Sequence, residues 1–253
     1  MKERVLGMLT QLAKHLGAVT LALALPVIVA PIAPAAPQNA NQAKPEGVTA
    51  EKVLSDFRNN LQKKAAEGDD VAKQNIHEFD SLSADQKSEL GDYLLGEKQV
   101  NNPKEEDFEK DRSEKSVSRY SDGNFSWERR ESVPQNSADE LAQERRIWGT
   151  QTFNFLGIKI IEHKVTGSYS ADGKPSQILS HDCAVARNYD PIAEVTTTKS
   201  SSYVFEDAAS FSCTVRVKRG VPSPWGNVSW STREGTHVLV GNGAGEVTRN
   251  GWQ

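Results

Sequence analysis

The second half of the chain, residues 116–253, consists of short segments of alternating polar and apolar residues separated by turn signals. Alternation at every second position is the periodicity of a β-strand with one buried face. Turn-forming residues such as Asp122 and Gly123 lie between the segments. No helical pattern alternates with the strands, so the sequence predicts an antiparallel β-sandwich or barrel-like domain and disfavours a parallel sheet.

Two local features interrupt this strand pattern. Ser137 and Glu140 have the spacing of a capping box, which predicts a short helix at residues 137–148. Gly157 separates two alternating runs whose apolar residues have opposite parity, so it is expected to mark a β-bulge.

Residues 49–100 have the periodicity of amphipathic helices. Val53, Phe57 and Leu61 recur every four residues, and Ser83 opens a later helix with a capping box. A helical segment of this size makes a poor core by itself, so its apolar stripes should pack on the β domain or on a partner. The fold class predicted for the whole chain is therefore α+β, with a short N-terminal helical segment followed by the antiparallel domain.

Residues 101–115 join these two parts, and ten of the 15 residues are charged. Opposite charges four residues apart are typical of a solvated helix, whereas the composition fits a disordered linker equally well. Both interpretations stay open at the level of sequence.

The first 35 residues have the pattern of a secretory signal peptide. Lys2, Arg4 and Lys14 precede a short apolar run at residues 16–30, and small residues follow it. Cleavage is expected after Ala35, which leaves residues 36–48 as a flexible tail rich in Ala, Pro, Asn and Gln. The alternative is an uncleaved membrane anchor, but the apolar run is short and is interrupted by prolines. We therefore expect an exported, extracellular bacterial protein with no stable transmembrane segment after cleavage.

The negative net charge of the chain argues against nucleic acid as a partner. The leader carries three basic residues and one acidic residue, so the net charge of −4 becomes about −6 after cleavage. Nucleic-acid binding requires a concentrated basic surface, and nucleic acid is therefore not expected as a partner.

Cys183 and Cys213 are the two cysteines of the chain, and both lie in predicted strands. An exported chain with an even number of cysteines favours a disulfide between them. The alternatives are unpaired structural thiols, or a nucleophilic or metal-binding Cys183 with His181 on the same strand face. The other histidines are scattered along the sequence, so no metal site is predicted.

Three tryptophans are the candidate ligand-binding residues. Trp225 lies in a loop rich in Pro and Gly, whereas Trp230 and Trp252 lie in predicted strands. Exposed aromatic rings bind sugars by stacking, and burial in the core is the alternative for each of them. The glycine-rich stretch 241–245 is followed by a strand pattern, so it predicts a hairpin turn and not a phosphate-binding loop.

The sequence predicts no catalytic residue and no cofactor, so an enzyme is disfavoured. The leading hypothesis is a secreted, non-enzymatic binding protein that acts at the cell envelope or on neighbouring cells, with an unknown ligand. One alternative is a bacteriocin-like or pore-forming toxin, suggested by the Ser/Thr-rich strand at residues 194–205, whose polar–apolar alternation also occurs in membrane-inserting hairpins. The other is a secreted hydrolase whose carboxylates cannot be paired from sequence.

Overall fold

The computed structural model describes residues 45–110, 116–134, 143–223 and 226–253. The predicted signal peptide and most of the flexible tail lie outside these residues. Within them, no helix is long and apolar enough to span a membrane.

In the described residues three α-helices come first, within the segment that the sequence predicts to be helical. They are α1 (Ala50–Ala66), α2 (Asp70–Ser81) and α3 (Ala84–Leu94). Each begins at a residue whose side chain accepts a hydrogen bond from the first helical turn: Thr49, Asp69 and Ser83. These bonds satisfy backbone amides that have no partner inside a helix, which explains where the helices start.

Among the described residues, ten strands follow a short 3-10 helix at Glu105–Asp107, and they form two antiparallel sheets. The first sheet has the order β1-β2-β3-β4-β5-β6, and the second has the order β10-β9-β8-β7. The strands are β1 (Glu109–Lys110), β2 (Val117–Asp122), β3 (Phe125–Glu131), β4 (Gln143–Phe155), β5 (Ile158–Asp172), β6 (Lys174–Asn188), β7 (Ala193–Phe205), β8 (Ala208–Ser223), β9 (Gly226–Asn242) and β10 (Val247–Trp252). The two sheets pack face to face, so the α+β class with an antiparallel sandwich is confirmed.

The structure differs from the predictions for the charged segment and for the helix after it. Up to Lys110, the charged segment forms the 3-10 helix and the two-residue strand β1, and residues 111–115 lie outside the described chain. Residues 137–142 of the predicted helix lie outside the described chain, and from Gln143 onward the segment is strand β4, paired with β5. Ile147 is fully buried between the sheets, and this burial outweighs the local helical signal.

Gly157 does not mark a bulge. Leu156 and Gly157 both have positive φ, at 45° and 87°, and together they form the tight turn between β4 and β5. Two successive residues with positive φ are typical of a type I′ hairpin turn, for which glycine is suited at the second position. The change of parity that the sequence shows at this point is therefore a change of strand.

The core between the sheets is built from residues of β4, β5, β8 and β9. Its largest members are Ile147, Tyr169, Phe211 and Leu239, all with no exposed surface. The ring of Phe211 occupies the space above Gly167, where a side-chain Cβ would lie 2.4 Å from the ring. Gly167 is therefore the residue that allows the sheets to approach here.

A second core joins the helices to the sandwich. Phe57 and Leu61 of α1 belong to the same cluster as Phe155 and Ile158, which flank the β4–β5 turn. The buried side chain of Asn75 on α2 donates to the carbonyl of Lys159 (2.8 Å) and accepts from its amide (3.0 Å). The helical segment thus docks on the β domain through both apolar burial and paired hydrogen bonds.

Cys183 of β6 and Cys213 of β8 form a disulfide, with a Cα–Cα distance of 6.0 Å. Because β6 belongs to the first sheet and β8 to the second, the bond connects the two layers of the sandwich covalently. Cys213 is 1% exposed and lies in the core between the sheets.

Removing this disulfide should destabilise the protein. A cross-link between residues 30 positions apart contributes about 3–4 kcal/mol in the chain-entropy model. We expect the variant C183A/C213A to lose about that much free energy of unfolding in a urea titration.

Reductant provides the control for this experiment. It should lower the urea midpoint of the wild-type protein to that of the double variant and leave the double variant unchanged. A wild-type midpoint that is insensitive to reductant would show that the disulfide does not brace the sandwich.

Candidate ligand-binding site

A cavity of about 280 Å³ lies where the helical segment meets both sheets. Its lining includes Tyr93 of α3, Phe153 of β4 and His163 of β5, which are buried, and Arg219 of β8. Asn101 lies at the mouth and is exposed. The volume is close to the lower end of the usual range for ligand pockets, about 300–1,000 Å³, and therefore suits a small molecule.

Aromatic rings form one wall of the cavity. The ring centroid of Trp127 lies 4.8 Å from that of Phe153 and 5.7 Å from that of Trp252, in an edge-on arrangement. Tyr93 lies 4.8 Å from Phe153. These rings belong to α3, β3, β4 and β10, so the wall exists only in the folded protein.

Gly235 of β9 makes room for this wall. A Cβ at this position would lie 2.9 Å from the Trp252 ring and 2.9 Å from the side-chain amide nitrogen of Asn102. Any residue larger than glycine at position 235 would displace the Trp252 ring or the Asn102 side chain.

Arg219 brings a buried positive charge to the cavity. Its side chain is 2% exposed, its Nε donates to the Asp190 carboxylate (3.1 Å), and its guanidinium lies 4.6 Å from the centroid of the Tyr93 ring. Burial raises the pKa of Asp190, and the ion pair with Arg219 opposes that rise. The Nη2 atom of Arg219 has no hydrogen-bond partner among the described residues.

Arg233 of β9 is the second cation of the lining. Its Nη1 donates to the carbonyl of Val100 (2.7 Å), and no carboxylate in the described parts of the chain forms an ion pair with it. Partial burial and, less strongly, the neighbouring charge of Arg219 lower the pKa of Arg233. Because Arg219 is already paired with Asp190, Arg233 is the cation of the lining that favours a negatively charged ligand group.

A chain of hydrogen bonds fixes the orientation of His163. The Asn250 amide nitrogen donates to the carbonyl of Arg130 (3.1 Å), so its Oδ1 accepts a hydrogen bond from Nε2 of His237 (2.7 Å). The Nδ1 of His237 must then accept from Nδ1 of His163 (3.1 Å). In this arrangement the Nε2 of His163 carries a lone pair and is a hydrogen-bond acceptor.

Burial keeps both imidazoles uncharged at neutral pH. It lowers the pKa of His237 to about 4, and it lowers the pKa of His163 well below its ordinary value, with a further contribution from His237. No sequence pattern predicts this pair, because the two histidines are 74 positions apart and meet only across the two sheets.

Four of the lining side chains each carry a buried nitrogen that has no hydrogen-bond partner in the described chain. They are Trp127, His163, Arg219 and Trp252. An unsatisfied buried polar group costs about 1–3 kcal/mol, and such groups in a native fold call for a functional explanation. Neighbouring atoms cover these nitrogens, so a ligand would reach them after a small shift of the lining side chains.

The three tryptophans that the sequence proposes as ligand-binding residues differ in location. Trp252 lines the cavity. Trp230 instead donates its Nε1 hydrogen to the carbonyl of Leu95 (2.9 Å), which anchors the end of the helical segment on β9. Trp225 lies outside the described residues. Trp127, which is not one of these three candidates, also lines the cavity.

His181 lies beside the disulfide. Its Nε2 is 3.5 Å from the sulfur of Cys213 and 3.7 Å from the sulfur of Cys183. The three donor atoms lie within 4.8 Å of one another, but both sulfurs are joined in the bond and neither is a free thiolate. Burial lowers the pKa of His181, and Lys199 adds to this effect.

The remaining sequence features are parts of the sheet framework. The glycine-rich stretch forms the end of β9 and the turn to β10, where the backbone N–H of Asn242 donates to the carbonyl of Glu246 (3.0 Å). The Ser/Thr-rich segment is β7, the edge strand of the second sheet, paired along its length with β8. Tyr203 and Phe205 near its end are about half exposed.

No protein-family model matches the chain, and no curated protein and no solved structure matches it significantly.

Acidification from pH 7 to pH 5 should weaken folding through His237. In the unfolded chain a histidine titrates near pH 6.5, whereas in the folded protein its pKa is about 4. Between these values only the unfolded state binds the proton, so the free energy of unfolding falls as the pH falls. We expect His237 to account for about 2 kcal/mol of this loss, measured by urea titration at both pH values.

The variant His237→Gln should show a smaller difference between the two pH values. His77→Gln, which removes an imidazole from the exposed surface of α2, is the matched control. Equal stability of the wild-type protein at pH 7 and pH 5 would contradict the buried, neutral state of His237.

Proposed function

We propose that this chain is a secreted binding protein that holds a small ligand of the cell envelope in the cavity between its helical segment and its β-sandwich. The observation that carries the proposal is the cavity itself, in which aromatic rings and polar groups without partners converge from α3 and from both sheets. Small-molecule sites are typically concave and mostly apolar, with a few placed polar groups.

A binding role suits this cavity better than hydrolysis. Glu234 is the carboxylate among its described lining residues, and it is paired with Arg216 (2.6 Å). Hydrolysis of a glycosidic bond by carboxylates requires two of them on either side of the bond. Asp190 is fully buried behind Arg219 and is not part of the lining.

Export is supported by the leader pattern and by the disulfide. Disulfides persist in oxidising compartments and are rare where thiols are kept reduced. A protein whose two sheets are joined by a disulfide is suited to act outside the cell.

Export should remove the first 35 residues. We expect the full chain, expressed in a bacterial host and recovered from outside the cytoplasm, to have an intact mass that corresponds to a start at Ala36. Ala35→Tyr should block processing because a small residue is needed before the scissile bond, and Ala40→Tyr is the matched control. Recovery of the wild-type chain with its leader still attached would refute the predicted processing.

Trp252 should be needed for retention on envelope material. We expect the exported wild-type protein to sediment with purified bacterial cell walls, and Trp252→Ala to bind about tenfold more weakly because one wall of the cavity is lost. Binding is measured from the fraction sedimented over a range of cell-wall concentrations. Trp252→Phe, which keeps an aromatic ring, should fall between the two.

Trp148→Ala is the matched control for the loss of a tryptophan. Trp148 belongs to β4, lies under Lys164 and does not line the cavity. Failure of the wild-type protein to bind cell walls, membranes or intact cells would sink the proposal. Release of dye from liposomes by the same protein would favour the membrane-active alternative, to which the exposed Tyr203 and Phe205 side chains could contribute.

A further inference from the structure

We infer that the ligand is a sugar acid, a hydroxylated ring that carries one carboxylate and is bound with its carboxylate at Arg233 and its ring against Trp252. This inference rests on the proposed function and adds the chemical class of the ligand. The charge, the hydrogen-bonding groups and the size of the cavity fit this class of ligand.

The charge of the site favours a monoanion. Arg219 is neutralised by Asp190, and Glu234 is neutralised by Arg216. Arg233 remains as one cation without an ion-pair partner among the described residues, and its partial burial strengthens its attraction to an anion. A guanidinium binds a carboxylate through two parallel hydrogen bonds, which fixes the orientation of the ligand as well as its charge.

The hydrogen-bonding groups require hydroxyls in addition to a carboxylate. His163 presents an acceptor at Nε2, because its Nδ1 donates to His237. Asn101 and Asn102 at the mouth each offer one acceptor and one donor group. An apolar acid has no donors for these acceptors, whereas sugar hydroxyls both donate and accept.

The aromatic wall and the volume set the size of the ligand. Sugar rings present apolar C–H faces that pack on aromatic rings, and Trp252 and Trp127 supply such surfaces. A cavity of about 280 Å³ corresponds to roughly nine water molecules in volume, which is enough for one sugar ring.

D-glucuronate and D-glucose are the matched probes, because they differ only in the carboxylate that replaces a hydroxymethyl group. We expect the exported wild-type protein to bind glucuronate at least about tenfold more tightly than glucose in calorimetric titrations. Arg233→Gln should abolish this preference, and Arg233→Lys, which keeps the charge, should recover part of it. Arg146→Gln removes a cation from the exposed surface of β4 and is the control that should change nothing.

A second readout follows the indole groups directly. Binding of glucuronate should shift the N–H resonances of Trp127 and Trp252 in NMR spectra and leave that of Trp148 in place. If Arg233→Gln fails to fold, the affinities of the wild-type protein for the two sugars still test the sugar-acid assignment.

The outcomes separate this inference from the proposed function. Equal binding of glucose and glucuronate overturns the sugar-acid assignment and leaves a binding protein for neutral sugars. Retention on cell walls without binding of either sugar also overturns the assignment while the binding function stands. Loss of both retention and sugar binding overturns the two together.

Discussion

The buried ion pair between Arg219 and Asp190 connects three parts of the molecule. Asp190 lies in the turn between β6 and β7, where the chain passes from the first sheet to the second. Arg219 lies in β8, and its guanidinium packs on the ring of Tyr93 from α3. Removing one partner would leave an uncompensated charge in the interior, at a cost of about 3–5 kcal/mol. The sheet crossover, the second sheet and the helical segment therefore hold their relative positions as a unit.

The cavity lies beside this ion pair because three differently shaped surfaces meet there. The end of α3 and the inner faces of two twisted sheets do not fill the space between them completely, and Gly235 adds room where a side chain would collide with Trp252. The same junction concentrates buried polar groups, because Arg219, Arg233 and His163 all reach it. Each wall of the cavity belongs to a different packed layer of the fold.

Local signals in the sequence predicted most of the framework. The caps at Thr49 and Ser83 gave the helix starts, and Asp122 with Gly123 gave a hairpin. Prediction was wrong where burial outweighed local preference, as at Ile147, and where a positive-φ pair formed a turn, as at Leu156 and Gly157. The site was predictable only in part. Trp252 was among the candidates, but Trp127 and the histidine pair carry no local pattern that distinguishes them from core residues.

The sequence by itself determined the class of fold, because the period of the apolar residues and the turn and cap residues act over a few neighbouring positions. The even number of cysteines and the leader pattern favoured pairing of Cys183 with Cys213 without knowledge of the sheets. Only the tertiary structure decided that this bond joins the two layers, that the helices dock on the sandwich, and that a cavity forms at their junction. The physical reason is that the lining of the cavity comes from α3 and from both sheets. Contacts between residues far apart in the chain produce no periodic pattern in the amino-acid sequence.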